Sequence, residues 1–234
     1  MKAILFDFGQ TLVNSADGFK AAEKDAKEKL YAELDPDEVP WDRFLGEYRK
    51  RRKAFHQQSN FSRPAIWQAV CEPFGLTPDR ERLQAWESDY WETVKSLTTP
   101  FPETMTVLEK LRERFRLGLV TNTQGQKNAG THRLALFPRL ERFFEVVVVA
   151  GEGGVPPKPD PEPFNQCLQR MDLAPQETLY VGDDWRIDIC GARDAGLRPV
   201  WLKHRSVKRN WPDVEPFEPT ITGLEQLLDL PIDD

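Results

Sequence analysis

With 234 residues the chain is long enough for one large domain or two modest ones, and its 39% hydrophobic and 30% charged residues are ordinary for a globular protein. Its 32 basic and 38 acidic residues leave a net charge of −6, which argues against a general affinity for nucleic acid or acidic membranes. No run of about 18 apolar residues occurs, and the start lacks the basic and long apolar regions of a secretory leader, so a cytoplasmic protein is expected.

The first element is the apolar run Ala3-Ile4-Leu5-Phe6, which ends on the carboxylate Asp7 and the turn residues Gly9, Gln10 and Thr11. A short apolar run closed by a turn signal reads as a central strand of a parallel sheet. In such sheets ligands bind beyond the carboxyl ends of the strands, which places Asp7 at the mouth of a crevice on rigid backbone.

From 14 to 99 strand-like runs cease. Ala16–Leu34 is rich in Ala, Lys and Glu; Trp41–Gln57 repeats aromatic residues at helical spacing; Pro64–Phe74 and Pro78–Leu97 follow, with prolines near helix starts where a missing N–H costs nothing. This segment is expected to be an all-helical insertion. Trp41, Trp67, Trp86 and Trp91 fall in it and suit packing between helices. The basic run 49–53 reads as a solvated helix face rather than a nucleic-acid contact. The polar stretch His56–Arg63 between two helices is a candidate substrate-selecting loop, with His56 or Arg63 as its recognition residue.

From residue 100 onward helix and strand alternate: helix Glu103–Phe115, strand Leu117–Thr121, a helix near Lys127–Phe137, strand Phe144–Ala150, helix Glu162–Met171, strand Thr178–Gly182, helix Arg186–Ala195 and strand Pro199–Leu202. The Pro-rich stretch Pro212–Pro219 precedes a short helix, Gly223–Leu230. The pattern predicts a doubly wound, Rossmann-like α/β core from residues 1–13 and 100–234, interrupted by the helical segment 14–99. Cys71, Cys167 and Cys190 lack metal-type spacing and read as small core fillers. His132 and His204 carry no suggestive partner spacing, and nothing specifies an oligomeric state.

The strand ends carry the polar chemistry. Strand one ends at Asp7. Strand two ends Val120-Thr121-Asn122-Thr123, a hydroxyl and turn N–H groups suited to anionic oxygens. A proline-stiffened loop after strand three presents Lys158, and strand four ends Gly182-Asp183-Asp184, with Asp188 at the start of a helix. One parallel sheet would open all of them onto the same edge.

In this order, these residues resemble the haloacid dehalogenase-like (HAD) hydrolase superfamily: Asp7 to Thr11 match its first motif, Val120-Thr121-Asn122 its second, Lys158-Pro159 its third, and Gly182-Asp183 through Asp188 its fourth. The resemblance implies that the insertion is a helical cap and that Asp7 is a nucleophile forming an aspartyl-phosphate. It further implies that Thr121, Asn122 and Lys158 bind the phosphoryl group and that Asp7, the Gly9 carbonyl, Asp183 and Asp188 form a Mg²⁺ site. Residue chemistry agrees, because each like-charge pair about 4 Å apart costs about 4 kcal/mol at an effective dielectric of 20. A hard divalent cation offsets what one lysine cannot. The expected substrate is a small phosphorylated metabolite.

The sequence departs from the family pattern at Gly9, where phosphatases carry a second Asp as acid–base group, worth about 10²–10⁴ in rate. A cap residue, Gln10 or the substrate would have to supply that role, and Gln10 is included among the expected substrate contacts. Two alternatives accompany the phosphatase reading. One is a dehalogenase, which would need no metal, or a phosphonate-cleaving enzyme, which would need a cap lysine such as Lys53 or Lys95. The other is a weakly active member that binds a phosphorylated ligand or a partner protein.

Overall fold

The computed structural model describes residues 1–58, 60–123, 132–151, 153–208, 210–215, 217 and 219–231. In chain order it runs β1 (Ala3–Phe6), β2 (Val13–Asn14), α1 (Ala16–Tyr31), α2 (Trp41–Gln57), α3 (Arg63–Cys71), α4 (Arg80–Ser96) and β3 (Thr99–Pro100). Alternation follows: α5 (Thr104–Leu111), β4 (Arg116–Asn122), α6 (Pro138–Glu141), β5 (Val146–Ala150), α7 (Glu162–Met171), β6 (Thr178–Gly182), a π-helical turn Trp185–Cys190 continued by α8 (Gly191–Asp194), β7 (Arg198–Leu202) and β8 (Thr220–Ile221).

Six of these strands form one parallel sheet in the order β5-β4-β1-β6-β7-β8. The side chains of β1 divide by parity, as a pleated strand requires. Ile4 and Phe6 join the apolar cluster containing Val107, Leu108 and Leu111 of α5, whereas Ala3 and Leu5 join the cluster containing Phe164, Cys167 and Met171 of α7. The strand is thus buried on both faces, which explains its unbroken apolar run. Register then aligns the strand ends: Phe6 lies opposite Leu119 on one side and Val181 on the other. Asp7 and Asp183 follow directly on β1 and β6, and Thr121 and Asn122 are the last two residues of β4.

Two compact units emerge, one from Met1–Ala16, Thr99–Thr123 and Arg133–Asp234, the other built on Asp17–Thr98. In the first, Asn14 pairs with Thr99 and Val13 with Pro100, an antiparallel ladder between β2 and β3 at the two ends of the helical segment. The short ladder and β8 were not anticipated, being too brief to show alternation.

The helical unit has its own core, with Trp67 and Trp91 fully buried and Trp67 meeting Trp86 and Tyr90 edge-on. Helices α3 and α4 start where side-chain caps permit: Ser62 accepts from the Ala65 N–H and Asp79 from the Arg82 N–H. Arg63, expected in a substrate-selecting loop, instead opens α3 and is buried under the helical core, its guanidinium over the Tyr90 ring and 3.7 Å from Glu23. Glu23 also accepts from the Tyr48 and Tyr90 hydroxyls and lies 3.4 Å from Arg52. Burial pushes its pKa up, but Arg63, Arg52 and the hydroxyls of Tyr48 and Tyr90 together hold it below its ordinary value. His56 meets the Phe61 ring edge-on; burial, with Arg52 and Arg63, lowers its pKa to about 4.

The basic run is mixed, with Lys50 and Arg51 pairing with Glu47 while Arg52 turns inward to Glu23. Cys71 and Cys167 are buried fillers, and burial raises their thiols to about 11 and about 12. Of the helix expected near Lys127–Phe137, residues 127–131 lie outside the described residues, and a 3₁₀ turn covers Arg133–Leu136. The last helix is likewise 3₁₀, Leu224–Leu228. Among the described residues, no helix is long and apolar enough to cross a membrane.

Candidate active site

Asp7 leaves β1 with its N–H bonded to the Val181 carbonyl at 2.9 Å, so the sheet ladder itself aims it. Its carboxylate is nearly buried, receives the Lys158 ammonium on Oδ1 at 2.8 Å and has the Thr11 hydroxyl 3.5 Å from Oδ2. Burial raises the Asp7 pKa, Lys158 opposes it, and with the Asp188 charge adding to burial the carboxyl stands above its ordinary value.

Lys158 is the centre of the cluster. Its ammonium lies within 2.9 Å of Asp7 Oδ1, Asp188 Oδ1, the Tyr180 hydroxyl and the Val120 carbonyl. An ammonium has only three protons. The count closes when the Tyr180 hydroxyl, 2.9 Å from the Val120 carbonyl, serves that oxygen and accepts from Lys158. Despite burial, Asp188 and Asp7 hold the lysine pKa above its ordinary value.

Asp188 reaches this position because of Gly182. A Cβ on residue 182 would sit 2.4 Å from the Cβ of Asp188, so only glycine lets the π-helical turn fold back against the end of β6. Asp188 Oδ2 then accepts from the N–H groups of Asp183 and Asp184, and Oδ1 faces Lys158. The Asp183 carbonyl in turn accepts from Trp201 Nε1 at 3.0 Å. One carboxylate oxygen each from Asp7, Asp183 and Asp188 lie within 4.8 Å of one another.

The structure brings Asp7, Lys158, Asp183 and Asp188 together and places Thr121, buried at the end of β4, on the same sheet edge. Asn122 differs from the phosphoryl contact expected of it. Its Oδ1 accepts from the Lys158 N–H at 2.9 Å and its Nδ2 donates to the Lys158 carbonyl at 3.1 Å, so both ends of the amide hold the lysine loop. Gln10 also differs from the expected substrate contact. With φ of 61°, it closes the turn after β1, and its side-chain amide lies against the N–H groups of Ser15 and Ala16, an environment that suits the oxygen end of the amide. Asp188 has both oxygens engaged by protein donors, which favours positioning over direct ligation.

Sequence reasoning missed Tyr180, the one polar-tipped aromatic of β6, and Arg133, whose guanidinium packs beneath Gly9. His204, without an expected role, stacks on Phe101 and lies 2.8 Å from Glu103.

Known proteins resemble this chain over nearly its whole length. A family model described as haloacid dehalogenase-like hydrolase matches residues 4–202. A glyceraldehyde 3-phosphate phosphatase of Methanopyrus kandleri is 30% identical over 98% of this chain and 97% of its own. A phosphoserine phosphatase of Thermus thermophilus is 29% identical over 92% of this chain and 94% of its own. The crystal structure of a HAD phosphatase from Thermococcus onnurineus superposes with a TM-score of 0.67, at 25% identity, over 98% of this chain and 97% of that one. The match runs through every strand end that carries a polar group, and the chain belongs to the haloacid dehalogenase-like hydrolases.

Proposed function

We propose that this hydrolase is a Mg²⁺-dependent phosphatase of a small phosphorylated metabolite, with Asp7 as nucleophile and the helical unit as its substrate-selecting cap. The observation that carries the reading is the buried carboxylate of Asp7 at the end of the central strand, 2.8 Å from Lys158 and grouped with Asp183 and Asp188. The relatives named for glyceraldehyde 3-phosphate and phosphoserine support the substrate class.

The donor set fits a hard cation. One ammonium among three carboxylates leaves an excess of negative charge that a phosphoryl group would increase, and the ligands are all oxygen. Asp7, the Gly9 carbonyl and Asp183 would hold Mg²⁺, while Asp188 positions Lys158 and the backbone of 183–184. The ion would supply charge neutralisation at the phosphoryl oxygens.

Asp7 attacks phosphorus, forming an acyl phosphate and splitting hydrolysis into two displacements. Thr121 receives a phosphoryl oxygen, and Lys158, freed from Asp7 as that oxygen becomes esterified, turns its proton to another. Asn122 keeps Lys158 in place by its backbone.

The test is Mg²⁺-stimulated release of phosphate from p-nitrophenyl phosphate or acetyl phosphate. Asp7→Asn should lower kcat on the order of 10⁴-fold or more, as loss of a covalent nucleophile does. Turnover that survives a chelator or this substitution would sink the reading, and metal-independent release of halide from a 2-haloacid would replace it.

A further inference from the structure

A buried cation packs against the turn after β1 at Gly9, two residues along the chain from Asp7. Gly9 has no side chain, and a Cβ built there would lie 3.3 Å from Nη2 of Arg133. Arg133 is 1% exposed, its Nη1 donates to Ser15 Oγ at 2.7 Å, and its guanidinium lies over the Phe8 ring at 5.6 Å. All these residues belong to the same unit as Asp7. The space beside residue 9 therefore holds a group that keeps its charge and its protons at any working pH.

That arrangement constrains the leaving group. When phosphorus bonds to Asp7, the bond to the departing oxygen breaks and that oxygen takes the electron pair. An alkoxide needs a proton as it leaves; a carboxylate or phosphate does not. Among the described residues, the side chains that contact the Asp7 carboxylate are the Lys158 ammonium and the Thr11 hydroxyl, neither of them a carboxylic acid or an imidazole, and the ammonium is shared with Asp188, Tyr180 and the Val120 carbonyl.

We propose that Arg133, packed against Gly9, stabilises the departing oxygen by charge in place of a proton donor, so that acyl phosphates and phosphoanhydrides are the preferred substrates. This rests on the phosphatase reading above. In the first displacement the Asp7–phosphorus bond forms and the leaving group departs as its oxyanion. In the second, water attacks phosphorus, the Asp7 oxygen leaves as carboxylate, and both protons of the water remain on inorganic phosphate.

The experiment measures kcat/KM of the full chain with Mg²⁺ on acetyl phosphate, a series of aryl phosphates and glycerol 3-phosphate. Acetyl phosphate should exceed glycerol 3-phosphate by at least about 100-fold, the lower bound for a missing acid. The aryl series should fall as leaving-group pKa rises, more steeply in Arg133→Gln than in wild type, with Arg133→Lys restoring the wild-type slope. Glycerol 3-phosphate turned over within about tenfold of acetyl phosphate overturns the leaving-group inference while the phosphatase reading stands. An unchanged slope in a folded Arg133→Gln overturns the assignment to Arg133. No phosphate release from any of the substrates overturns both readings. Should Arg133→Gln fail to fold, the wild-type comparison decides the substrate class and Arg133→Lys against wild type decides the residue, a large loss in a folded lysine variant counting against charge alone.

Discussion

Asn122 grips Lys158 by the backbone, not by the side chain: one amide accepts the lysine N–H at 2.9 Å and donates to its carbonyl at 3.1 Å. The loop after β5 is thereby fastened to the end of β4, and the ammonium is delivered to Asp7 from a fixed base. A residue that would be expected to touch the phosphoryl group acts one bond further back.

Asn122→Ala removes both bonds and leaves two buried backbone groups without partners. The expected cost is about 2–3 kcal/mol, read as a lower urea midpoint. Loosening Lys158 should also lower kcat by about 10²-fold, the usual effect of a 1 Å misplacement. A variant with reduced stability but wild-type kcat would show that the loop holds Lys158 without this clamp.

Gly182→Ala tests the contact that lets Asp188 fold back. The new methyl would come within 2.4–2.7 Å of the Asp188 side chain, so the π-helical turn must shift. Overpacking of this kind costs about 1–3 kcal/mol. Because Asp188 bonds both Lys158 and the N–H groups of Asp183 and Asp184, turnover should fall together with stability. Full activity in a folded variant with a lowered melting midpoint would contradict that coupling.

The helical unit should be acid-sensitive through His56. Its folded pKa of about 4 lies below the ordinary 6.5, so between those values the unfolded chain binds a proton that the folded chain refuses. The contribution is fully present above about pH 6.5 and is lost as pH falls toward 4. Arg52 and Arg63 oppose the charged imidazole and Glu23 favours it. Thermal midpoints of wild type should therefore decline across this window more steeply than those of His56→Gln. Parallel curves would show that His56 is accommodated when charged.

Sequence reading reached the sheet and the grouping of Asp7, Lys158, Asp183 and Asp188 for a simple reason. A strand buried on both faces, such as Ala3–Phe6, must be apolar throughout, and parallel topology then forces Asp7, Thr121 and Asp183 onto one edge. It did not reach the direction of each hydrogen bond. Asn122 finds its partner 36 residues away, and Gln10 turns back to Ser15 and Ala16 because the turn has left-handed backbone at that position. Tyr180 reads as one more strand residue until its hydroxyl is seen to complete the proton count of Lys158. Arg63 looked accessible in a polar stretch, yet Ser62 caps α3 there and draws it into the aromatic core. Such outcomes depend on partners brought in by folding, which no local pattern encodes.

The pairing of Asn14 with Thr99 means that the chain departs from the sheet-bearing unit and returns to it at adjacent residues. Everything between those two points is, topologically, a loop hung from a two-rung clasp. A tight turn joining the rungs would leave all six parallel strands connected as before, so the helical unit can be exchanged by evolution or by design while the Asp7 carboxylate stays where the central strand puts it.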